Sequence, residues 1–253
     1  MPEMFLNDSG REENLKAIIL AAGRGSRMLS ETDLKPKCLS LVHEKPLIEW
    51  QIEALRLAGV SDIAIVTGYK SYLLRDYSPN VFYNPIWETT NMVKSLLEAR
   101  EWLTRFNCVV SYSDIYYEKT AISSLAKSEY SLSITYDPNW IKQWESRFDD
   151  PLSDAESFRL GEDGLLCEIG GKAKDIAEIQ GQYMGLLRFT PNAWIEVEKI
   201  IGSLSSIEIN KLQMTHLLQL IIDSKLIQIE AIPYFGKWSE FDTQSDLIKF
   251  HSN

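Results

Sequence analysis

The chain has 253 residues, with 26 Lys+Arg against 36 Asp+Glu, a formal net charge of −10, 45% hydrophobic residues and 25% charged residues. This is the composition of an ordinary folded chain, long enough to bury a full core without disulfides. It excludes broad nucleic-acid binding, which needs a basic footprint, and no run of about 18 apolar residues is present to span a membrane. The opening stretch MPEMFLNDSGREENL is polar and acidic and lacks the apolar centre of a secretory signal. Cys38, Cys108 and Cys167 are few, odd in number and without a C-x-x-C pair, as expected of a cytoplasmic chain with reduced thiols. His43, His216 and His251 are equally scattered, so no pair has the spacing of a zinc site.

In chain order, residues 1–14 read as a mobile arm, and 15–253 as a single domain. Lys16 to Ala22 is a short continuous apolar run, the pattern of a strand buried on both faces in a parallel sheet. A Gly- and Arg-rich loop runs from Gly23 to Lys37. Pro46 then opens PLIEWQIEALRLAG, apolar at helical spacing and stopped by Gly59. A second apolar strand, Asp62 to Gly68, completes a βαβ unit. Val81–Asn84 is a short strand, and Asn91 caps a helix over MVKSLLEAREWL. Cys108 to Asp114 is a strand ending in an acid, and 131–136 is another. The polar, Asp-rich stretch 137–156 reads as a long loop, a candidate lid. Residues 157–169 read as a hairpin and Tyr183–Phe189 as a strand. A helix opens at Pro191, and another covers 211–223. A late strand over 227–232, the segment WSEFD and a short final helix close the chain. The expected architecture is α/β, a doubly wound, mostly parallel sheet with a small β-rich lobe on the substrate side after about residue 138.

In such a sheet, ligands bind beyond the carboxyl ends of the strands, and the loop Gly23-Arg24-Gly25-Ser26-Arg27 stands there directly after the first strand. Glycines let the backbone approach a ligand, and Arg24 and Arg27 offer planar forks for phosphate. The dinucleotide fingerprint fails because Met28 stands where its third Gly belongs, and no Gly-Lys-Ser/Thr of a P-loop exists. Lys35-Pro36-Lys37 adds a second basic cluster.

The block LAAGRGSRM…LKPKCLSLVHEKPLIEWQIEALRLAGVSDIAIVTGY resembles the N-terminal signature of nucleotidyltransferases that activate sugar phosphates and small phosphorylated alcohols. YNPIWETTNMVKSLL and the closing SEFDTQSDL look most like bacterial phosphocholine cytidylyltransferases and the related phosphonate cytidylyltransferases. The resemblance implies transfer of a cytidylyl group from CTP to a small phosphorylated or phosphonate acceptor, with release of pyrophosphate. It implies Mg²⁺ held by Asp114 and Asp242, with Glu240 a rival for the second position. A cation of this kind offsets the repulsion between two anions. Read locally, either aspartate is equally a turn residue or helix N-cap. The resemblance also implies that Arg27 and Lys37 neutralise the triphosphate and that Lys172, or Lys174 beside it, binds the acceptor phosphate.

Around the nucleotide, the expected residues are Leu20, Ala21, Ala22, Gly23, Arg24, Gly25, Gly68, Asn84 and Ser113. Cytosine and uracil differ by one donor–acceptor swap, so CTP is chosen on the resemblance alone. For the acceptor, aromatics at Trp87, Tyr112, Tyr116, Tyr183 and Trp238 would cage a quaternary ammonium such as phosphocholine. Glu88, Asn91, Glu178 and Gln180 would instead suit a primary amine such as 2-aminoethylphosphonate, and an amino-acid phosphate is a further option. Asn91 and Ser95 share a helix face at i,i+4. Two rivals stay open: a sugar-1-phosphate nucleotidyltransferase, and a non-catalytic nucleotide-binding regulator of the same fold. The sequence also leaves the oligomeric state open, a homodimer included. Ser30-Glu31-Thr32-Asp33 is more acidic than a triphosphate site suggests.

Overall fold

The computed structural model describes residues 15–25 and 31–251. The arm 1–14 and Arg27 lie outside the described residues. From the N-terminus, β1 (Lys16–Ala21) is followed by α1 (Glu31–Leu34), the small pair β2 (Leu41–Val42) and β3 (Lys45–Pro46), then α2 (Leu47–Leu57), β4 (Ile63–Thr67) and β5 (Asn80–Tyr83). Next come α3 (Met92–Leu97), α4 (Arg100–Leu103), β6 (Cys108–Tyr112), β7 (Ile115–Tyr117), α5 (Lys119–Ala126), β8 (Leu132–Asp137) and α6 (Ile141–Arg147). The chain continues through β9 (Glu156–Leu160), β10 (Leu166–Lys172), β11 (Gln182–Phe189), α7 (Pro191–Gly202), α8 (Ser206–Lys211) and α9 (Met214–Ser224). It closes with β12 (Ile229–Pro233), β13 (Trp238–Glu240) and α10 (Gln244–His251).

Seven strands form the central sheet in the order β12-β8-β11-β6-β1-β4-β5. All neighbours are parallel except β11, which runs antiparallel to both β6 and β8. The unbroken apolar runs explain this: Ile18, Ile19, Ala64, Ile65, Val109 and Val110 are all fully buried, so the strands are covered on both faces. The β9–β10 hairpin forms a separate two-stranded sheet, the β-rich lobe expected after residue 138. A second small sheet pairs β13 with β7 and sets Glu240 opposite Ile115. That register carries the C-terminal acidic segment to the end of β6.

Three expected elements differ. The stretch 137–156 is not a bare loop but holds α6, because Trp140 and Trp144, one helical turn apart, pack edge to face at 5.9 Å and are buried at 3% and 4% exposure. The helix expected over 92–103 breaks at Glu98–Ala99, where the backbone tightens to i→i+3 hydrogen bonds. Trp102 then packs on Phe82 of β5. The helix expected over 211–223 begins at Met214, since Leu212 and Gln213 are extended and separate α8 from α9. Among the described residues, no helix is long and apolar enough to cross a membrane.

Candidate active site

The glycine loop leaves the carboxyl end of β1 and forms one wall of a cleft. Leu20, Ala22, Gly23 and Gly25 line it, while Ala21 packs beneath, buried. Gly25 has φ +72°, and a Cβ there would fall 2.8 Å from Lys37 Cβ, so only glycine lets the loop pass over that lysine. The loop after β4 is stitched to this wall by Tyr69 N donating to Ala22 O at 2.8 Å. Gly68 does not line the cleft but makes the junction possible, since a Cβ on it would meet both Ala22 O and Trp87 Cβ at 2.6 Å. We expect Gly68→Ala to cost at least about 2 kcal/mol through overpacking and to weaken nucleotide binding with it. Thermal denaturation and a nucleotide titration check both, and an unshifted Tm would refute the tight junction.

Opposite, Trp87, Thr90, Asn91 and Ser95 complete the cleft. Asn84 is fully buried and does not reach it. Its amide donates to Thr90 Oγ1 at 2.9 Å and Ser95 Oγ at 3.0 Å, so it holds the two hydroxyls that do. Arg24 is not among the cleft residues. It pairs with Asp33 of α1, which explains the acidic stretch in this place: Asp33 takes up the arginine's charge.

At the floor, β6 ends at Tyr112, two residues earlier than expected, and Ser113 and Asp114 make the turn into β7. Gln51 of α2, wholly buried, donates to Tyr112 O and Ile115 O, both at 2.7 Å, and so brackets the turn. Phe241 N donates to Asp114 O at 2.9 Å and draws the chain after β13 alongside. Asp246 accepts from Asp242 N at 3.0 Å and Thr243 N at 2.8 Å, fixing the entry to α10. Lys37 follows Pro36, whose ring sets φ, and its buried ammonium donates to Asp114 Oδ2 at 2.9 Å and Asp242 Oδ1 at 2.7 Å. Burial pulls the lysine's pKa down most strongly, but the two aspartates outweigh it and the ammonium stays protonated with a raised pKa.

Asp114, Glu240 and Asp242 each present an oxygen within 4.8 Å of the others. Burial first, then the charges of Asp242 and Asp114, push the Glu240 carboxyl up to about 7, against the opposing pull of Arg147 and Lys37. Asp114 Oδ1 is buried and has no hydrogen-bond partner among the described residues. A donor set of carboxylate oxygens alone, one of them unpaired, with its repulsion offset by an ammonium, fits a hard divalent cation. Asp114 and Asp242 are thus brought together as expected, and Glu240 joins them rather than replacing one.

A second pocket opens from the first and shares Asn91, Met92, Tyr112 and Asp242 with it. Trp144, Asp154, Glu156, Gln182, Tyr183 and Thr215 contribute to its walls. Of the expected acceptor residues, Asn91, Tyr112 and Tyr183 line this pocket, while Trp87 and Ser95 line the first cleft. Other expected acceptor residues lie elsewhere, Glu88 and Gln180 among them. Tyr116 packs in a small core against Trp50 and Phe250. Trp238 is buried and donates to Asp137 Oδ2 at 2.9 Å. Glu178 is exposed and accepts from Lys174 N. Lys172, exposed at the end of β10, reaches neither pocket. Lysine and aromatic residue types alone do not reveal which strand face they occupy. Sequence reading missed Gln51, Glu156 and, above all, Arg147 at the end of α6.

Residues 17–141 match a family model described as a MobA-like NTP transferase domain, and a relative matched along almost its whole length stands beside it; the chain belongs to this family of nucleotidyltransferases. That relative is the CTP:phosphoglutamine cytidylyltransferase of Campylobacter jejuni, 34% identical over 249 residues that cover 92% of this chain and 98% of the relative. The choline-phosphate cytidylyltransferase of Streptococcus pneumoniae is 39% identical over 121 residues, 46% of this chain and 52% of its own. Among solved structures, the inositol-1-phosphate CTP transferase from T. maritima superposes with a TM-score of 0.74 over 94% of each chain at 19% identity, which shows a shared fold.

Proposed function

We propose that this chain, acting as one catalytic domain over residues 15–253, transfers a cytidylyl group from CTP to a small phosphorylated acceptor carrying an amine or amide. The observation that carries the reading is Lys37, held between Asp114 and Asp242 where the two connected pockets meet. An acceptor phosphate oxygen attacks the α-phosphorus of CTP, a new P–O bond forms, and the bond to the β-phosphate breaks with its electrons leaving on pyrophosphate. The nucleophile is already ionised, so no general base is required. The backbone of Leu20–Gly25 receives the nucleotide, Trp87 flanks it, and Lys37 supplies positive charge at the junction. Arg27 stands by resemblance as a second cation. Asp114, Glu240 and Asp242 would hold Mg²⁺, which when bound screens the phosphates and stabilises the leaving charge.

The acceptor pocket favours an amino-acid phosphate over phosphocholine. Asp154, Glu156, Gln182 and Gln213 stand in its walls, and no Lys, Arg or His does among the described residues. Carboxylates and amides match an ammonium and a carboxamide, and an amino acid's own carboxylate would be met by the side-chain amide of Asn91 or Gln213. Of the expected aromatic cage, Trp87, Tyr116 and Trp238 lie outside this pocket, while Tyr112 and Tyr183 line it together with Trp144 and Phe158, so phosphocholine is the second choice after an amino-acid phosphate. The likeness to a phosphoglutamine enzyme supports the same choice. The test offers each nucleoside triphosphate with Mg²⁺ and phosphoglutamine, phosphocholine, 2-aminoethylphosphonate or glucose-1-phosphate, and measures pyrophosphate. Release is expected with CTP, and fastest with phosphoglutamine. Preference for glucose-1-phosphate or for UTP would overturn the proposal, and no release with any pair would favour a regulator.

A further inference from the structure

The acidic cluster contains a second internal cation, and it comes from the stretch that reads as a loop in the sequence. Arg147 closes α6 with its side chain only 3% exposed. Its Nη1 donates to Glu240 Oε2 at 3.0 Å, Nη2 lies 3.4 Å from Asp242 Oδ2, and Nε donates to Asp246 Oδ1 at 3.1 Å. The guanidinium carbon sits 5.4 Å from the Trp144 ring centroid and 5.1 Å from that of Phe148. Two rings and three carboxylates therefore fix both the position and the plane of the fork. Asp242 is gripped on both oxygens: Lys37 holds Oδ1 and Arg147 holds Oδ2.

The two cations differ in kind. Lys37 stands between Asp114 and Asp242, two of the carboxylates that would hold a metal ion, and so competes with it. Arg147 approaches from the other side and ties Asp242 to Glu240 and to Asp246, the residue that fixes the Asp242 backbone. We propose that Arg147 is a positioning residue that holds Glu240 and Asp242 in place for a divalent cation, so that α6, which also supplies Trp144 to the acceptor pocket, is built into the metal site. This rests on the metal reading above. Two physical effects pull in opposite directions here. By charge alone, removing a cation beside the carboxylates tightens metal binding. By positioning, removing it lets like-charged ligands spread and weakens binding, as loss of an outer partner of a metal ligand typically does by about 10–100-fold. A fork with three carboxylate partners and two rings beside it puts positioning first.

The test is Mn²⁺ binding to the substrate-free protein, followed by the spin resonance of free Mn²⁺ well below each variant's Tm. Arg147→Gln is expected to raise the Mn²⁺ Kd at least about tenfold. Arg147→Lys keeps the charge but loses the fork, and is expected to fall between Arg147→Gln and the parent. It also serves if Arg147→Gln does not fold. Lys249→Ala is the control for a merely structural role. It removes the contact from Lys249 to Ser146 O, which joins α10 to α6 without touching the cluster, and is expected to leave the Kd unchanged. Raising Mg²⁺ to saturation is expected to restore most of the turnover of Arg147→Lys, because an affinity defect yields to concentration and a distorted fold does not. An unchanged or lower Mn²⁺ Kd in the arginine variants overturns the proposal while leaving the metal site standing. Failure of the parent protein to bind Mn²⁺ overturns the metal reading and this inference together.

Discussion

Replacing Lys37 by methionine should lower turnover about 10³-fold, by removing a fixed positive charge from the point where two anions must meet. The same change should destabilise the metal-free protein by about 3 kcal/mol, a fall of about 6–12 °C in Tm. The reason is local: Lys37 and Asp242 are each only 9% exposed at the side chain, and the ammonium is the shared partner of Asp242 and Asp114. Without it, Asp114, Glu240 and Asp242 repel one another in a partly buried cluster, with Arg147 left to offset them. Methionine fills the volume, so the loss reports charge rather than a cavity. The proposed magnesium site adds a sign that separates this account from simple loss of packing. In the parent protein an incoming divalent cation competes with the ammonium, whereas in Lys37→Met it has nothing to displace and more repulsion to relieve. Magnesium should therefore raise the Tm of the variant more than that of the parent. Thermal scans with chelator and with Mg²⁺ measure this, and an equal rise in both proteins would refute the shared-site account.

The strands were legible because a strand buried on both faces must be continuously apolar, and β1, β4 and β6 are written that way. The glycine loop was legible for a related reason, since few functions need two glycines and two arginines directly after such a strand. What pairs across the chain was less so. Lys37 and Asp242 are 205 residues apart, and only the β7–β13 register shows why they meet. The resemblance supplied Lys37, Asp114 and Asp242, but it was silent on Arg147, which sits in a polar stretch whose one structural signal is the spacing of Trp140 and Trp144. The aromatics misled because aromatic character says nothing of direction: Tyr116 faces a small core while Tyr112 and Tyr183, ring to ring at 5.8 Å, stand in the pocket proposed for the acceptor. Glu156 drew no notice because an acid at the start of a hairpin looks like any solvated acid. Its burial in a pocket wall, which raises its pKa, exists only once β9 lies against α9 and β11.

Asp114→Asn should lower turnover by about 10²-fold or more while leaving the fold almost untouched. The substitution keeps the shape of the side chain and every backbone contact of the turn. Gln51 still brackets it, and Asp114 O still accepts from Phe241 N. Lys37 loses one of two carboxylate partners and keeps the other at 2.7 Å, so a stability cost of about 1 kcal/mol is expected. What changes is the net charge of the acidic cluster, and with it the affinity for a divalent cation. The loss should therefore appear in turnover and in Mn²⁺ binding but hardly in the Tm, the reverse of the pattern expected for a residue whose task is packing. Asp242→Asn should be equally inactive and less stable, because Asp242 is the more buried carboxylate and answers to both Lys37 and Arg147. Steady-state assays, Mn²⁺ titrations and thermal scans on the two variants side by side decide the matter. Near-normal turnover in Asp114→Asn would remove that carboxylate from the chemistry and leave it as the turn residue that a purely local reading allows.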